Sequence, residues 1–105
     1  MAKLTSKPLT FKDIQVYVRD IAIERGFAEE TIAQKFMLLS EEIGEFSKAT
    51  RKNAGIKSAS VNNQNIAHEA ADVLFVLVNI CNKLGINIDQ AFREKEEINN
   101  SRSWT

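Results

Sequence analysis

Two acidic clusters carry the chemistry open to this chain: Glu41-Glu42-Ile43-Gly44-Glu45 and Glu69-Ala70-Ala71-Asp72. Residues three or four apart meet on a helix surface. Glu42 therefore shares a face with Glu45, Glu41 can also reach Glu45, and Glu69 pairs with Asp72. Asp72 is followed at once by the apolar run Val73-Leu74-Phe75-Val76-Leu77-Val78, inside the helix expected to be the most buried. A buried carboxylate without a partner is costly and tends to protonate, and a second like charge on the same face adds to the cost. A divalent cation would supply the missing positive charge. The donors are all oxygen, and His68, beside Glu69, points about 100° away around the helix. Such a set suits Mg²⁺, with Mn²⁺ as a possible substitute, rather than zinc or iron. Mg²⁺ keeps positions open for water and substrate phosphates, so a carboxylate-rich site points to phosphate chemistry. Gly44 costs about 1 kcal/mol relative to alanine inside a helix. It reads either as a place where another helix or a phosphate approaches closely, or as a tolerated surface glycine.

These side chains need helices to position them. One proline, four glycines and the lack of regular Val/Thr alternation predict an all-α chain. Residues 1–9 read as a flexible arm ending at Pro8. Thr10 and Asp13 form a capping-box pattern for a first helix over about 11–25, with Ile14, Val18 and Ile21 at helical spacing and Gly26 as its stop. A second helix starts near Glu29–Thr31, where acidic residues suit the positive end of the dipole, and ends near Arg51–Asn53. It carries Phe36, Leu39, Ile43 and Phe46 as one apolar stripe. Residues 54–63 read as a loop. A third helix spans about Asn63 to Leu84, stopped by Gly85. Its middle is apolar all round and must be covered all round, which three short partners can hardly do, so a subunit interface is expected. A fourth helix opens on a capping-box pattern at Asn87 and Gln90, carries Ala91, Phe92 and Ile98, and fades near Asn99 into a mobile tail, 100–105.

The chain of 105 residues fits a single domain, 1–105. Lys+Arg and Asp+Glu are 14 each, giving zero formal net charge. That argues against a broadly basic nucleic-acid binder. The single cysteine, Cys81, allows no intrachain disulfide and suits a reducing compartment. It reads as a small buried apolar group. The longest apolar run is far short of the ~20 residues that cross a bilayer, and the N-terminus lacks a signal-peptide core. A soluble, cytoplasmic protein with no membrane partner is expected.

The pattern EExxE, a spacer, then ExxD resembles the MazG family of nucleotide pyrophosphohydrolases within the all-α NTP pyrophosphatase group. Here it stands as EEIGE at 41–45 and EAAD at 69–72, with 23 residues between. The run from Asp72 through Leu77 continues the likeness. So does the ending Lys95-x₃-Asn99-x₂-Arg102-x-Trp104, and the resemblance covers roughly residues 30–104. It implies a four-helix subunit whose core is completed by oligomerisation, as a homodimer or homotetramer. It implies Mg²⁺-dependent hydrolysis of a (deoxy)nucleoside triphosphate to the monophosphate and pyrophosphate, a nucleotide-pool cleansing reaction. By the same resemblance, Glu42, Glu45, Glu69 and Asp72 match the metal ligands. Glu41 matches an auxiliary acid that orients or deprotonates the attacking water, so Glu41, Glu42 and Glu45 form the catalytic set. Lys95, Asn99 and Arg102 match positions that close over the nucleotide.

Other residues are read directly. Lys48, three past Glu45, can reach a phosphate oxygen, whereas Arg51 and Lys52 also suit a basic helix C-terminus. Asn79 lies two turns after Asp72 on the same stripe and reads as a base contact or a satisfied interfacial amide. Trp104, the sole tryptophan, reads as a base-stacking residue or a cap on a partner's groove. Phe36 and Phe46 read as core, and His68 has no role. Two alternatives stand beside the main reading. One is another nucleotide substrate for the same hydrolysis, dUTP, dCTP or phosphoribosyl-ATP. The other is a non-enzymatic helical interaction module with a solvated acidic face.

Overall fold

A computed structural model describes residues 2–54 and 63–102. Four helices follow in order: α1 (Phe11–Glu24), α2 (Ile32–Ala54), α3 (Asn63–Lys83) and α4 (Ile88–Asn100). There is no strand among the described residues, so the chain is all-α.

Local chemistry sets the helix ends. At α1 the Thr10 hydroxyl accepts from the Asp13 N–H at 3.1 Å, and the Asp13 carboxylate accepts from the Thr10 N–H at 2.9 Å. Both bonds of a capping box are thus made. The Thr10 N–H, and then its hydroxyl, hold the Asp13 carboxyl below its usual range. At the other end Gly26 takes φ +80°. The Phe27 N–H then donates back to the Ala22 carbonyl at 2.8 Å, which closes the last turn. Gly85, at φ +70°, does the same for α3, with the Ile86 N–H on the Cys81 carbonyl at 2.8 Å.

Two expected ends differ in detail. Helix α2 is opened not by Glu29 and Glu30 but by a capping box of Thr31 and Gln34. The Gln34 N–H donates to the Thr31 hydroxyl at 3.1 Å, and the Thr31 N–H donates to the Gln34 side chain at 2.8 Å. At α4, Asn87 caps the Gln90 N–H at 3.0 Å, but the Gln90 amide donates forward to Glu94 at 2.9 Å. The box expected there is half made. Residues 2–9 run beside α1, and the Ala2 N–H reaches the Glu24 carboxylate at 3.1 Å. Ser101 and Arg102 continue the end of α4 through N–H bonds to the Ile98 and Asn99 carbonyls. The expected loop, apart from its helical ends at Ala54 and Asn63, lies outside the described residues.

Helices α2 and α3 form an antiparallel pair. Lys35 lies near Asn79, Glu42 near Glu69 and Asp72, and Ala49 near Asn65. Helix α1 packs across α3, and the buried core is Val18, Ile21 and Ala22 of α1, Ala49 of α2, and Val76, Val78 and Ile80 of α3. Lys35 is buried with them at 1% exposure. Its ammonium donates to the Phe27 carbonyl at 2.7 Å and lies 3.6 Å from Glu30. Helix α4 leaves α3 at 95° and touches α1. One side chain pins that corner. Gln15 donates to Asn82 at 2.9 Å and to the Ile86 carbonyl at 2.8 Å, and accepts from the Ile88 N–H at 3.0 Å.

The apolar stripe of α2 is only partly covered by the chain's own packing. Leu39 and Phe46 are half-buried, whereas Phe36 is 48% and Ile43 50% exposed. Phe36 is thus not a core residue of the single subunit. The all-apolar run of α3 divides likewise, with Val76 and Val78 buried and Leu74 and Leu77 open. Among the described residues no single helix is long and apolar enough to cross a membrane.

Candidate active site

The antiparallel register of α2 and α3 brings the two acidic clusters face to face. Carboxylate oxygens of Glu42, Glu69 and Asp72 all lie within 4.8 Å of one another. Glu69 and Asp72 come from one face of α3, three residues apart, and Glu42 comes across from α2. Glu42 and Glu69 are half-buried, but Asp72 is exposed. The expectation of a buried Asp72 is corrected here: α3 turns its apolar side to α1 and α2 and leaves the Asp72 edge open. The strain falls instead on Glu42. Burial first, then the charges of Asp72, Glu69, Glu45 and Glu41, push its carboxyl above the usual range.

Such a cluster fits a hard cation. Oxygen ligands at about 2.1 Å from Mg²⁺ lie up to about 4.2 Å apart across the ion, so small side-chain rotations bring these three within reach of one. Among the described residues no histidine or cysteine joins this group. Glu45 stands one turn along α2 from Glu42 and lines an adjoining hollow with Lys48, Ala49, Asn65 and Glu69. Glu41 is exposed and outside the three-carboxylate cluster, though its charge is felt at Glu42. Gly44 is exposed, and a Cβ there would meet nothing within 4 Å. Among the described residues no other helix of the subunit uses it for close approach.

The remaining candidates lie in different places. Lys48 shares the hollow with Glu45 and Glu69. Asn79 is 9% exposed and lies away from the carboxylates. It lines a cavity of about 200 Å³ with Arg19, Ala22, Lys35 and Asn82. Lys95, Asn99 and Arg102 belong to α4 and its end. Helix α4 starts beyond Lys83, which is about 17 Å along α3 from Asp72 at 1.5 Å per residue, and turns off at 95°. Within one subunit these three therefore do not reach the carboxylates. Trp104 lies outside the described residues. Reasoning on sequence passed over Asn65, although its place one helical turn before Glu69 puts it on the same face.

Residues 20–99 match the model of the phosphoribosyl-ATP pyrophosphohydrolase family. The match spans most of the chain, which belongs to that family and so to the all-α NTP pyrophosphatase superfamily. It is a hydrolase acting on phosphoanhydride bonds, with nucleotides as the class of substrate. The interaction-module alternative falls with that finding. No curated protein matches the chain.

Proposed function

We propose that this chain hydrolyses the α–β phosphoanhydride bond of a nucleoside triphosphate, ribo or deoxy, releasing the monophosphate and pyrophosphate, as MazG-like proteins do. The observation that carries the reading is the meeting of Glu42, Glu69 and Asp72 across the α2–α3 pair. Glu45 joins them as a fourth ligand from the next turn of α2. A bound Mg²⁺ supplies charge neutralisation at the phosphoryl oxygens and lowers the pKa of water. The chain's own groups do the rest. Glu41, exposed beside the cluster, accepts a proton from the attacking water. The water oxygen bonds to phosphorus as the bridging oxygen departs with the other phosphoryl group. Lys48 binds a phosphate oxygen as a point charge.

Lys95, Asn99 and Arg102 act in this reading from a second copy of the chain, as does Trp104, and Asn79 contacts the base. The half-open apolar faces of α2 and α3 supply the surface on which two copies meet as a dimer or a dimer of dimers. The physiological role is removal of unwanted nucleotides from the cytoplasmic pool.

A second substrate is favoured by the family match itself. Phosphoribosyl-ATP carries the same α–β bond, and its hydrolysis needs the same carboxylates. Product analysis separates the two. The protein is incubated with Mg²⁺ and, in turn, each common nucleoside triphosphate, dUTP, dCTP and phosphoribosyl-ATP, with Glu45→Gln in parallel. Monophosphate plus pyrophosphate, reduced about a hundredfold or more by the substitution, is the expected result. Orthophosphate plus diphosphate would overturn the cleavage position, and turnover of phosphoribosyl-ATP alone would select the second substrate.

A further inference from the structure

We infer that the hollow between Lys48 and Asn65 is the pyrophosphate end of the site. On this assignment Asn65 contacts substrate and the nucleotide has a fixed polarity along the α2–α3 groove. The inference rests on the nucleotide reading proposed above and adds a direction to it.

The hollow measures about 250 Å³ and is lined by Glu45, Lys48, Ala49, Asn65 and Glu69. It shares Glu69 with the three-carboxylate cluster, so a phosphate chain held at the cluster lies beside it. The hollow's volume holds a pyrophosphate. Its chemistry points the same way. Among the described residues none that lines it is aromatic or a large apolar side chain that could stack on a base. The polar lining groups are Lys48, which binds phosphate as a point charge, the Asn65 carboxamide, and the Glu45 and Glu69 carboxylates. Ala49 is buried and small, leaving the floor open. The hollow lies beside the first turns of α3, whose positive end favours anions.

The opposite direction along the groove differs. In the antiparallel register the next positions past Glu42 and Asp72 are Leu38 and Leu39 on α2 and Val73 and Phe75 on α3, all half-buried. That side offers apolar surface, and its cation, the Arg25 guanidinium, lies over the Phe75 ring, 5.6 Å from the centroid. A nucleotide therefore lies with its terminal phosphates toward Lys48 and Asn65 and its nucleoside beyond Asp72. Because Glu45 and Glu69 also face the hollow, bare pyrophosphate is repelled, and the species bound is its Mg²⁺ complex.

The test is calorimetric titration of the full chain with Mg²⁺–pyrophosphate and, separately, with each common nucleoside monophosphate plus Mg²⁺. Wild type, Lys48→Met, Lys48→Arg and Asn65→Ala are compared, with far-UV circular dichroism and thermal midpoints establishing that each variant is folded. Lys48→Met is expected to weaken pyrophosphate binding about tenfold or more, and Asn65→Ala about three- to tenfold. Monophosphate affinities should stay within about twofold, and Lys48→Arg should restore most of the loss. Pyrophosphate affinity unchanged in folded variants would overturn the assignment, as would an equal fall for the monophosphates or wild type that binds no pyrophosphate. Turnover is measured on the same wild-type preparation. Its absence overturns the proposed reaction, while the pyrophosphate titration still decides the hollow.

Discussion

Glu42 is where folding and function compete. Burial and four neighbouring acids raise its carboxyl pKa above the ordinary 4.5, so the folded chain holds that proton more tightly than the unfolded chain does. Stability then falls as pH rises from the unfolded value through the raised folded one. The penalty is complete above that window and absent below it, where both states are protonated. A cation at the cluster removes the penalty by favouring the ionised form. Glu42→Gln should therefore melt above the parent at pH 7 in chelator, with the difference vanishing near pH 4. Adding Mg²⁺ should raise the midpoint of the parent and leave the variant nearly still. Differential scanning calorimetry across pH, with and without Mg²⁺, reads both effects. A variant that melts below its parent at neutral pH would show that the Glu42 charge is already compensated in the metal-free chain.

At the scale of elements, Gln15 joins α1 to the corner between α3 and α4. Gln15→Leu leaves the Asn82 side chain, the Ile86 carbonyl and the Ile88 N–H without those bonds. The loss should cost about 1–2 kcal/mol, since the corner is only partly buried. The carboxylates sit far along α3, so Mg²⁺ affinity should hold while turnover falls with the loosened α4. Urea unfolding and Mg²⁺ titration of one preparation check the pair of outcomes. The elements themselves were legible because their ends are local: Thr10, Gly26, Gly85 and Asn87 act within one turn of their own position. The Thr31–Gln34 box is equally local, but the adjacent Glu29 and Glu30, which suit the dipole, mask it in the sequence. The site was half legible. Spacing alone pairs Glu69 with Asp72, but the reach of Glu42 across to them depends on the register of two helices. So does the place of Asn65 opposite Lys48. The burial of Lys35 depends on three elements meeting, which no periodicity in the chain announces.

At the scale of the whole molecule the single chain is open. Its radius of gyration is 16.4 Å, against about 13 Å for a compact chain of this length. Phe36, Met37, Ile43, Leu77, Phe92 and Ile98 stand exposed. The carboxylates occupy the α2–α3 pair, and α4 turns away from them. Both facts are met at once if a second copy covers the apolar faces and brings its own Lys95, Asn99 and Arg102 to the first copy's carboxylates. Mixing two inactive variants tests this arrangement without a structure of the assembly. Glu69→Gln breaks the carboxylate cluster but keeps α4, and Arg102→Ala keeps the cluster but loses the proposed α4 contact. If α4 acts between subunits, a mixed dimer has one site built wholly from intact parts. Unfolding and refolding equal amounts together should then return about a quarter of the wild-type rate, because half the dimers are mixed and one of their two sites is whole. If α4 serves its own subunit, every site in every dimer stays damaged, and the mixture is no faster than the average of its two components.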